Sequence, residues 1–185
     1  NNEVYALTRG QYSPTSERGM QTPTSPEGAR EQPLNAVALA LSQGATFVAR
    51  TYTLNLQHMI NTFVEALNHR GYALVEVMQV CVTFFPELGK EEYRNRMYVM
   101  QDEGHDSSDW DAAMEKAREY PGAGRIPLGI FYRTEDVPAY EERIATLQKG
   151  PLVSQPLHIR PKKDYWNLVY ELMTEQVDME APRGD

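Results

Sequence analysis

TFVARTYTLNLQHMINTFVEALNHRGYALVEVMQV, residues 46–80, holds two apolar runs on either side of one amphipathic pattern. Thr46 to Ala49 has the short, apolar character of a buried strand. Asn55 then offers a side-chain oxygen to the first free N–H groups of a helix, and Leu56, Met59, Ile60, Phe63 and Leu67 recur behind it at helical spacing. Gly71 stops that helix. Tyr72 to Val80 is rich in Val and almost continuously apolar, broken by Glu76. Apolar strands alternating with amphipathic helices must be covered on both faces, which predicts an α/β protein whose parallel sheet is flanked by helices.

Upstream, Asn35 can cap a helix running through Leu41, with Gly44 as its stop. Residues 1–33 are different in kind. Gly10, Pro14, Gly19, Pro23, Pro26, Gly28 and Pro33 break any long helix and predict an extended loop, of a length that is usually functional or disordered. Downstream of Pro86 the pattern is mixed. A helix is expected over 91–100, then a turn from Gly104 to Asp109. Ser108 with Asp111 resembles a capping box for a helix whose one face carries Trp110, Ala113, Met114 and Ala117. Gly129 to Tyr132 predicts a short strand, and Pro138 suits the first turn of a helix carrying Tyr140, Ile144 and Leu147. A last helix is expected near Tyr165 to Met173. The organisation is thus a loop (1–33), an α/β segment (34–85) and a helical or irregular C-terminal extension (86–185) that wraps a partner or the parent domain.

The 185 residues suffice for one core. The net charge is −8 without a basic block, which excludes the clustered Lys and Arg that neutralise nucleic-acid phosphates. No stretch approaches the roughly 20 apolar residues that span a bilayer. Asn1-Asn2-Glu3 lacks the basic and apolar regions of a signal peptide, so a cytoplasmic location is the default. Cys81 is the one cysteine; it permits no internal disulfide and no complete cysteine metal site from this chain. His58, His69, His105 and His158 show no zinc-ligand spacing, and His105-Asp106 reads as a turn rather than a catalytic pair.

The opening, NNEVYALTRGQYSPTS (residues 1–16), resembles a segment of the β subunits of 2-oxoacid:ferredoxin oxidoreductases. The resemblance continues, in order, through Pro33-Leu34-Asn35, Ala38-Leu39-Ala40, residues 44–50, residues 80–84, Gly104-His105-Asp106 with Ser108-Asp109-Trp110, and residues 127–132. An isolated Asn-Asn pair would carry no information; the ordered series does. In that family an Asn-Asn or Asp-Asn pair ends the thiamine-diphosphate motif, which opens with Gly-Asp-Gly some two dozen residues upstream. The resemblance therefore implies the back half of a thiamine-diphosphate-binding fold.

It also implies roles. Mg²⁺ bridges the diphosphate and takes oxygen ligands. Asn2 matches the position that gives a side-chain oxygen, and Val4 the position that gives its backbone carbonyl. Leu7 and Thr8 match positions near cofactor and substrate. Cys81 matches a cysteine that supplies one of four thiolates to a [4Fe–4S] cluster, the other three lying upstream. Two departures stand beside it: Val80 where Pro is common and Phe85 where Asn is common. The implied reaction is oxidative decarboxylation of a 2-oxoacid, 2-oxoglutarate favoured over pyruvate or a branched-chain acid, to acyl-CoA and CO₂ with reduction of ferredoxin. The implied partners are the α subunit, ferredoxin and coenzyme A. The rival expectation is a non-catalytic interaction module that keeps only the fold's back half.

Overall fold

The described residues of the computed structural model are 1–79, 81–84, 89–122, 124–147, 150, 152–154, 166–167, 169–170 and 173. In chain order the elements are β1 (Val4–Tyr5), β2 (Gln11–Tyr12), α1 (Ala36–Ser42), β3 (Phe47–Tyr52), α2 (Leu56–Asn68), β4 (Ala73–Met78), α3 (Gly89–Arg96), β5 (Met97–Val99), α4 (Trp110–Ala117) and β6 (Ile126–Arg133). Single 3-10 turns lie at Met100–Glu103, Tyr140–Arg143, Ala145–Leu147 and Leu152–Ser154. Residues 1–143 form one compact unit and 144–185 another.

The first unit is organised by β3, whose six residues are all buried. Both caps read from the sequence form: Asn35 Oδ1 accepts the Ala38 N–H at 2.9 Å and Asn55 Oδ1 the His58 N–H at 3.2 Å. Each such cap is worth about 1 kcal/mol. Asn35 also donates to the carbonyls of Ala117 and Tyr120, fastening α1 to the end of α4. Val37, Ala40 and Leu41 of α1 pack with Val48, Ala113, Ala117, Met100 and Phe131 into one core cluster. On the other side of β3, Thr51 meets His58 of α2 and Phe47 meets His69. The sheet is thus covered on both faces, as an apolar strand requires.

The four-stranded sheet has the order β4-β3-β6-β5. β3 and β4 are parallel, as are β5 and β6, but β3 and β6 are antiparallel, with a bulge between Val48 and Ala49. The expected parallel sheet is therefore mostly parallel with one reversed junction. Two βαβ units, β3-α2-β4 and β5-α4-β6, lie side by side in opposite directions. Periodicity along the chain sets each crossover; it carries no information on how one unit meets the next.

Three local expectations are corrected. The helix expected over 91–100 ends at Arg96, and Met97–Val99 pairs instead with β6. A Met-Tyr-Val run suits a half-buried strand, and sheet pairing overrides the helical pattern. Asp109, not Ser108, caps α4 by accepting the Ala112 N–H at 3.0 Å; Ser108 instead donates its hydroxyl to Asp106 Oδ1 at 2.7 Å. The expected helix after Pro138 is replaced by two 3-10 turns, where Tyr140 is 74% exposed and Ile144 and Leu147 are only half-buried, so among the described residues there no fully buried apolar face stabilises an α-helix. The candidate helix at 165–173 is helical at residues 166, 167, 169, 170 and 173 and otherwise falls outside the described residues, as do Val80 and Phe85.

α2 departs in another way. Among its residues Thr62 alone is fully buried, while Leu56, Ile60, Phe63, Val64 and Leu67 are between 40% and 83% exposed. Its apolar stripe faces outward.

Candidate functional site

The N-terminal segment is tied to the carboxyl end of β4. The Asn1 nitrogen donates to the Val77 carbonyl at 2.7 Å, the Gln79 N–H donates to the Asn1 carbonyl at 2.9 Å, and Asn1 Nδ2 donates to Glu76 Oε1 at 2.8 Å. Ligands of open α/β sheets bind outside the carboxyl ends of parallel strands, which is where this attachment puts residues 1–5.

Between Asn2 and Val4 the chain turns sharply. Glu3 is buried and left-handed, with φ of +58°, a conformation that costs a non-glycine residue of the order of 1–3 kcal/mol. Its two backbone groups are both engaged: the N–H donates to Asn1 Oδ1 at 3.2 Å, and the carbonyl accepts from the Ser16 hydroxyl. Ser16 in turn accepts the Ser13 N–H at 2.8 Å, and Thr15 donates its hydroxyl to Asn1 Oδ1 at 2.8 Å. The strained residue is thus over-determined from both sides.

Asn2 and Val4, the two residues expected from the sequence to supply oxygen donors, flank this turn. Asn2 is half-buried, and its Oδ1 receives the Val4 N–H in a long 3.4 Å contact. Val4 is buried and pairs with Tyr12 across the β1–β2 hairpin. A carboxamide oxygen and a main-chain carbonyl are neutral, hard donors of the kind Mg²⁺ accepts beside phosphate oxygens and water. Among the described residues no group of three or more His, Cys, Asp or Glu side chains gathers that would hold a metal by charge alone. The donor set fits a cation shared with an anionic ligand.

Leu7 and Thr8 sit at the tip of the same hairpin. Leu7 is 99% exposed, and the Thr8 hydroxyl donates to Gln11 Oε1 at 2.7 Å. The hairpin closes through Arg9 and Gly10, both left-handed at φ of +84°. Gly10 has a second reason to lack a side chain: a Cβ there would stand 2.6 Å from the ring of Phe84. That packing brings the segment after β4, which carries the buried Cys81, against the hairpin.

Behind the hairpin lies a cavity of about 550 Å³, walled by Tyr5, Tyr12, Pro14 and Leu34, with Ser13 and Glu31 as polar groups. The Tyr12 hydroxyl hydrogen-bonds Glu31, and the carboxylate pushes the phenol above its usual pKa. The loop from Ser13 to Leu34 is closed by its own backbone, with Gly19 N–H to Ala29 O at 2.8 Å and Leu34 N–H to Pro14 O at 2.7 Å.

Three of the histidines, His58, His69 and His105, take structural roles, and His158 lies outside the described residues. His105 Nε2 meets the Phe131 carbonyl at 2.8 Å, and Asp106 is held below the ordinary carboxylate range by the N–H and hydroxyl of Ser108. His58 is paired with Thr51 and His69 with Thr46; burial pushes both imidazoles down.

Sequence reasoning passed over Arg50 and Ser16. Arg50 is 1% exposed, donates to Glu76 Oε2 at 2.8 Å and to the Pro127 carbonyl, and lies against the rings of Tyr120 and Phe131. The one signal in the sequence was charge in the wrong place, since Arg50 and Glu76 interrupt two neighbouring apolar strands.

Residues 1–77 match the family model described as thiamine pyrophosphate enzyme, C-terminal TPP binding domain. Residues 81–149 match the family model for the C-terminal region of the pyruvate ferredoxin oxidoreductase beta chain. The chain is 36% identical over 171 residues to 2-oxoacid:ferredoxin oxidoreductase 1, subunit beta, of Aeropyrum pernix, covering 87% of this chain and 53% of that protein. It is 44% identical over 101 residues to the 2-oxoglutarate oxidoreductase subunit KorB of Mycobacterium tuberculosis, covering 52% and 27% respectively. Among solved structures, 2-oxoglutarate:ferredoxin oxidoreductase from Magnetococcus marinus, with 2-oxoglutarate, coenzyme A and succinyl-CoA bound, superposes with a TM-score of 0.73 at 34% identity. That superposition covers 90% of this chain and 55% of the other. The chain spans about half the length of the curated relatives it matches.

Fold and matches define the class: a thiamine-diphosphate-binding α/β domain. Within that class, the chain belongs to the β-subunit family of the 2-oxoacid:ferredoxin oxidoreductases, whose C-terminal region it represents.

Proposed function

We propose that this chain is part of the β subunit of an enzyme that oxidatively decarboxylates a 2-oxoacid, 2-oxoglutarate by preference, to acyl-CoA and CO₂ while reducing ferredoxin. The observation that supports the reading is the left-handed, hydrogen-bonded turn at Glu3, between Asn2 and Val4, in a segment tied through Asn1 to the carboxyl end of β4. Asn2 Oδ1 and the Val4 carbonyl would hold Mg²⁺ against the diphosphate. Thiamine diphosphate, when bound, supplies the electron sink for loss of CO₂. Leu7 and Thr8, at the hairpin tip, would bound the substrate side of the site. The apolar Leu7 supports a 2-oxoacid other than pyruvate, and the Mycobacterium and Magnetococcus relatives are both named for 2-oxoglutarate.

Cys81 would give one thiolate to a [4Fe–4S] cluster whose other three ligands lie elsewhere in the full-length protein. Its place on the segment packed against Gly10 supports a short path between cofactor and cluster. The α subunit, ferredoxin and coenzyme A are the proposed partners, in the cytoplasm; among the described residues no helix is long and apolar enough to cross a membrane.

The test uses the full-length subunit purified with its partner. Iron, sulfide and thiamine diphosphate are measured per chain, and reduction of ferredoxin is followed across a panel of 2-oxoacids with and without coenzyme A. Reduction with 2-oxoglutarate that requires coenzyme A and yields succinyl-CoA is expected. Faster turnover of pyruvate or a branched-chain acid would reassign the substrate. Protein that binds its partner but neither cofactor nor iron would be an interaction module instead.

A further inference from the structure

The Arg50–Glu76 pair is buried inside the sheet at 1% and 7% exposure, far from any need for solubility. Such pairs rarely stabilise a fold, because the cost of removing two charges from water approaches or exceeds their attraction. Replacing a whole pair by well-packed apolar residues is often neutral. The position of this pair suggests another use. Glu76 spends one carboxylate oxygen on Arg50 Nε and the other on Asn1 Nδ2, each at 2.8 Å. Orienting the Asn1 carboxamide in this way leaves its Oδ1 directed at two groups of the neighbouring loop: the N–H of left-handed Glu3 at 3.2 Å and the Thr15 hydroxyl at 2.8 Å. A continuous polar chain therefore runs from Arg50 through Glu76 and Asn1 to the residue that separates Asn2 from Val4.

We infer that Arg50 and Glu76 are positioning residues for the Mg²⁺–diphosphate loop, acting through the Asn1 carboxamide. The inference rests on the assignment of Asn2 and Val4 to that metal. Without Glu76 as acceptor, the Asn1 amide is free to rotate, and the Glu3 turn loses the contact to its N–H. The Asn2 and Val4 oxygens then spend less time in the geometry that Mg²⁺ demands. Partners that orient metal ligands from behind typically contribute roughly 10–100-fold to metal affinity.

The experiment is carried out on the full-length subunit with its partner. The readout is the Mg²⁺ concentration that half-saturates thiamine diphosphate binding, followed by protein fluorescence, alongside the thermal melting midpoint without cofactor. The paired swap Arg50→Met with Glu76→Leu removes both charges and keeps the volume. It is expected to leave the melting midpoint within a few degrees of wild type while raising the Mg²⁺ requirement by roughly tenfold. Asn1→Ala should raise it as much, and adding Asn1→Ala to the paired swap should raise it no further, because all break one chain of contacts. An unchanged Mg²⁺ requirement in the paired swap, or full additivity with Asn1→Ala, would overturn the inference. Should the paired swap not fold, the near-isosteric Glu76→Gln decides instead. By weakening the acceptor that faces Asn1 Nδ2 it should raise the Mg²⁺ requirement, and an unchanged requirement, or full additivity with Asn1→Ala, would overturn the inference. Wild-type protein that binds no thiamine diphosphate at any Mg²⁺ concentration would instead sink the functional assignment beneath it.

Discussion

All six residues of β3 are buried between two layers of helix, whereas the β1–β2 hairpin is two residue pairs long and its tip residue, Leu7, is 99% exposed. The strand is held by the removal of apolar surface from water, which is non-directional and tolerates small shifts. The hairpin is held by directed hydrogen bonds from Asn1, Ser16 and Thr15, which fix a strained turn but bury little. Holding two oxygen atoms at a cation's distance, the role proposed for Asn2 and Val4, needs the second kind of order, with the first kind to anchor it. The two meet at the carboxyl end of β4, where Asn1 is stitched to Val77 and Gln79.

The contrast can be broken from either side. The largest effect is expected in the core: Phe47→Ala, at a side chain with no exposure, should cost about 3–5 kcal/mol of unfolding free energy in denaturant titrations. In the hairpin the effects should separate. Asn2→Ala, which removes a direct ligand, should raise the Mg²⁺ requirement for thiamine diphosphate by at least about a hundredfold, no less than the upper end of what outer partners of metal sites cost, while the melting midpoint hardly moves. If stability and Mg²⁺ binding fell together, the hairpin would be a structural element and the contrast would be false. Asn35→Ala is intermediate, since it removes the α1 cap and two bonds to the end of α4; about 1–2 kcal/mol of stability should go, with Mg²⁺ binding intact.

The smallest effect is a pH dependence that belongs to the core side alone. Burial pushes the imidazoles of His58 and His69 below the ordinary value of 6.5, so the folded protein holds them neutral. As pH falls below about 6.5 the unfolded chain takes up these protons first, and stability is lost down to the folded pKa. The melting midpoint should therefore decline between pH 7 and 5.5, and His58→Gln, which can still meet Thr51, should make that decline shallower. An unchanged slope would show that His58 is not neutral in the fold.

What the sequence made legible follows from the range of the forces involved. The caps at Asn35 and Asn55, the helices behind them and the strands β3 and β4 are local matters, written in residues three or four apart. The reversed junction between β3 and β6 was not legible, because it depends on how two complete βαβ units pack. The strand at Met97–Val99 was hidden for the same reason, its partner lying some thirty residues away in β6. At the site, Asn2, Val4, Leu7, Thr8 and Cys81 came from resemblance; the structure adds where each sits. The network behind them was concealed by its own logic. Arg50 and Glu76 are 26 residues apart, and Asn1 is 75 residues from Glu76, so only the fold brings the three together.

One determination bears on the central claim without intermediaries: the structure of the full-length subunit with thiamine diphosphate and Mg²⁺ bound. The Asn2 Oδ1 and the Val4 carbonyl oxygen should each lie about 2.0–2.1 Å from the ion, in its octahedral shell, with Glu3 still left-handed between them. An ion ligated by other groups, with these two oxygens turned elsewhere, would contradict the account.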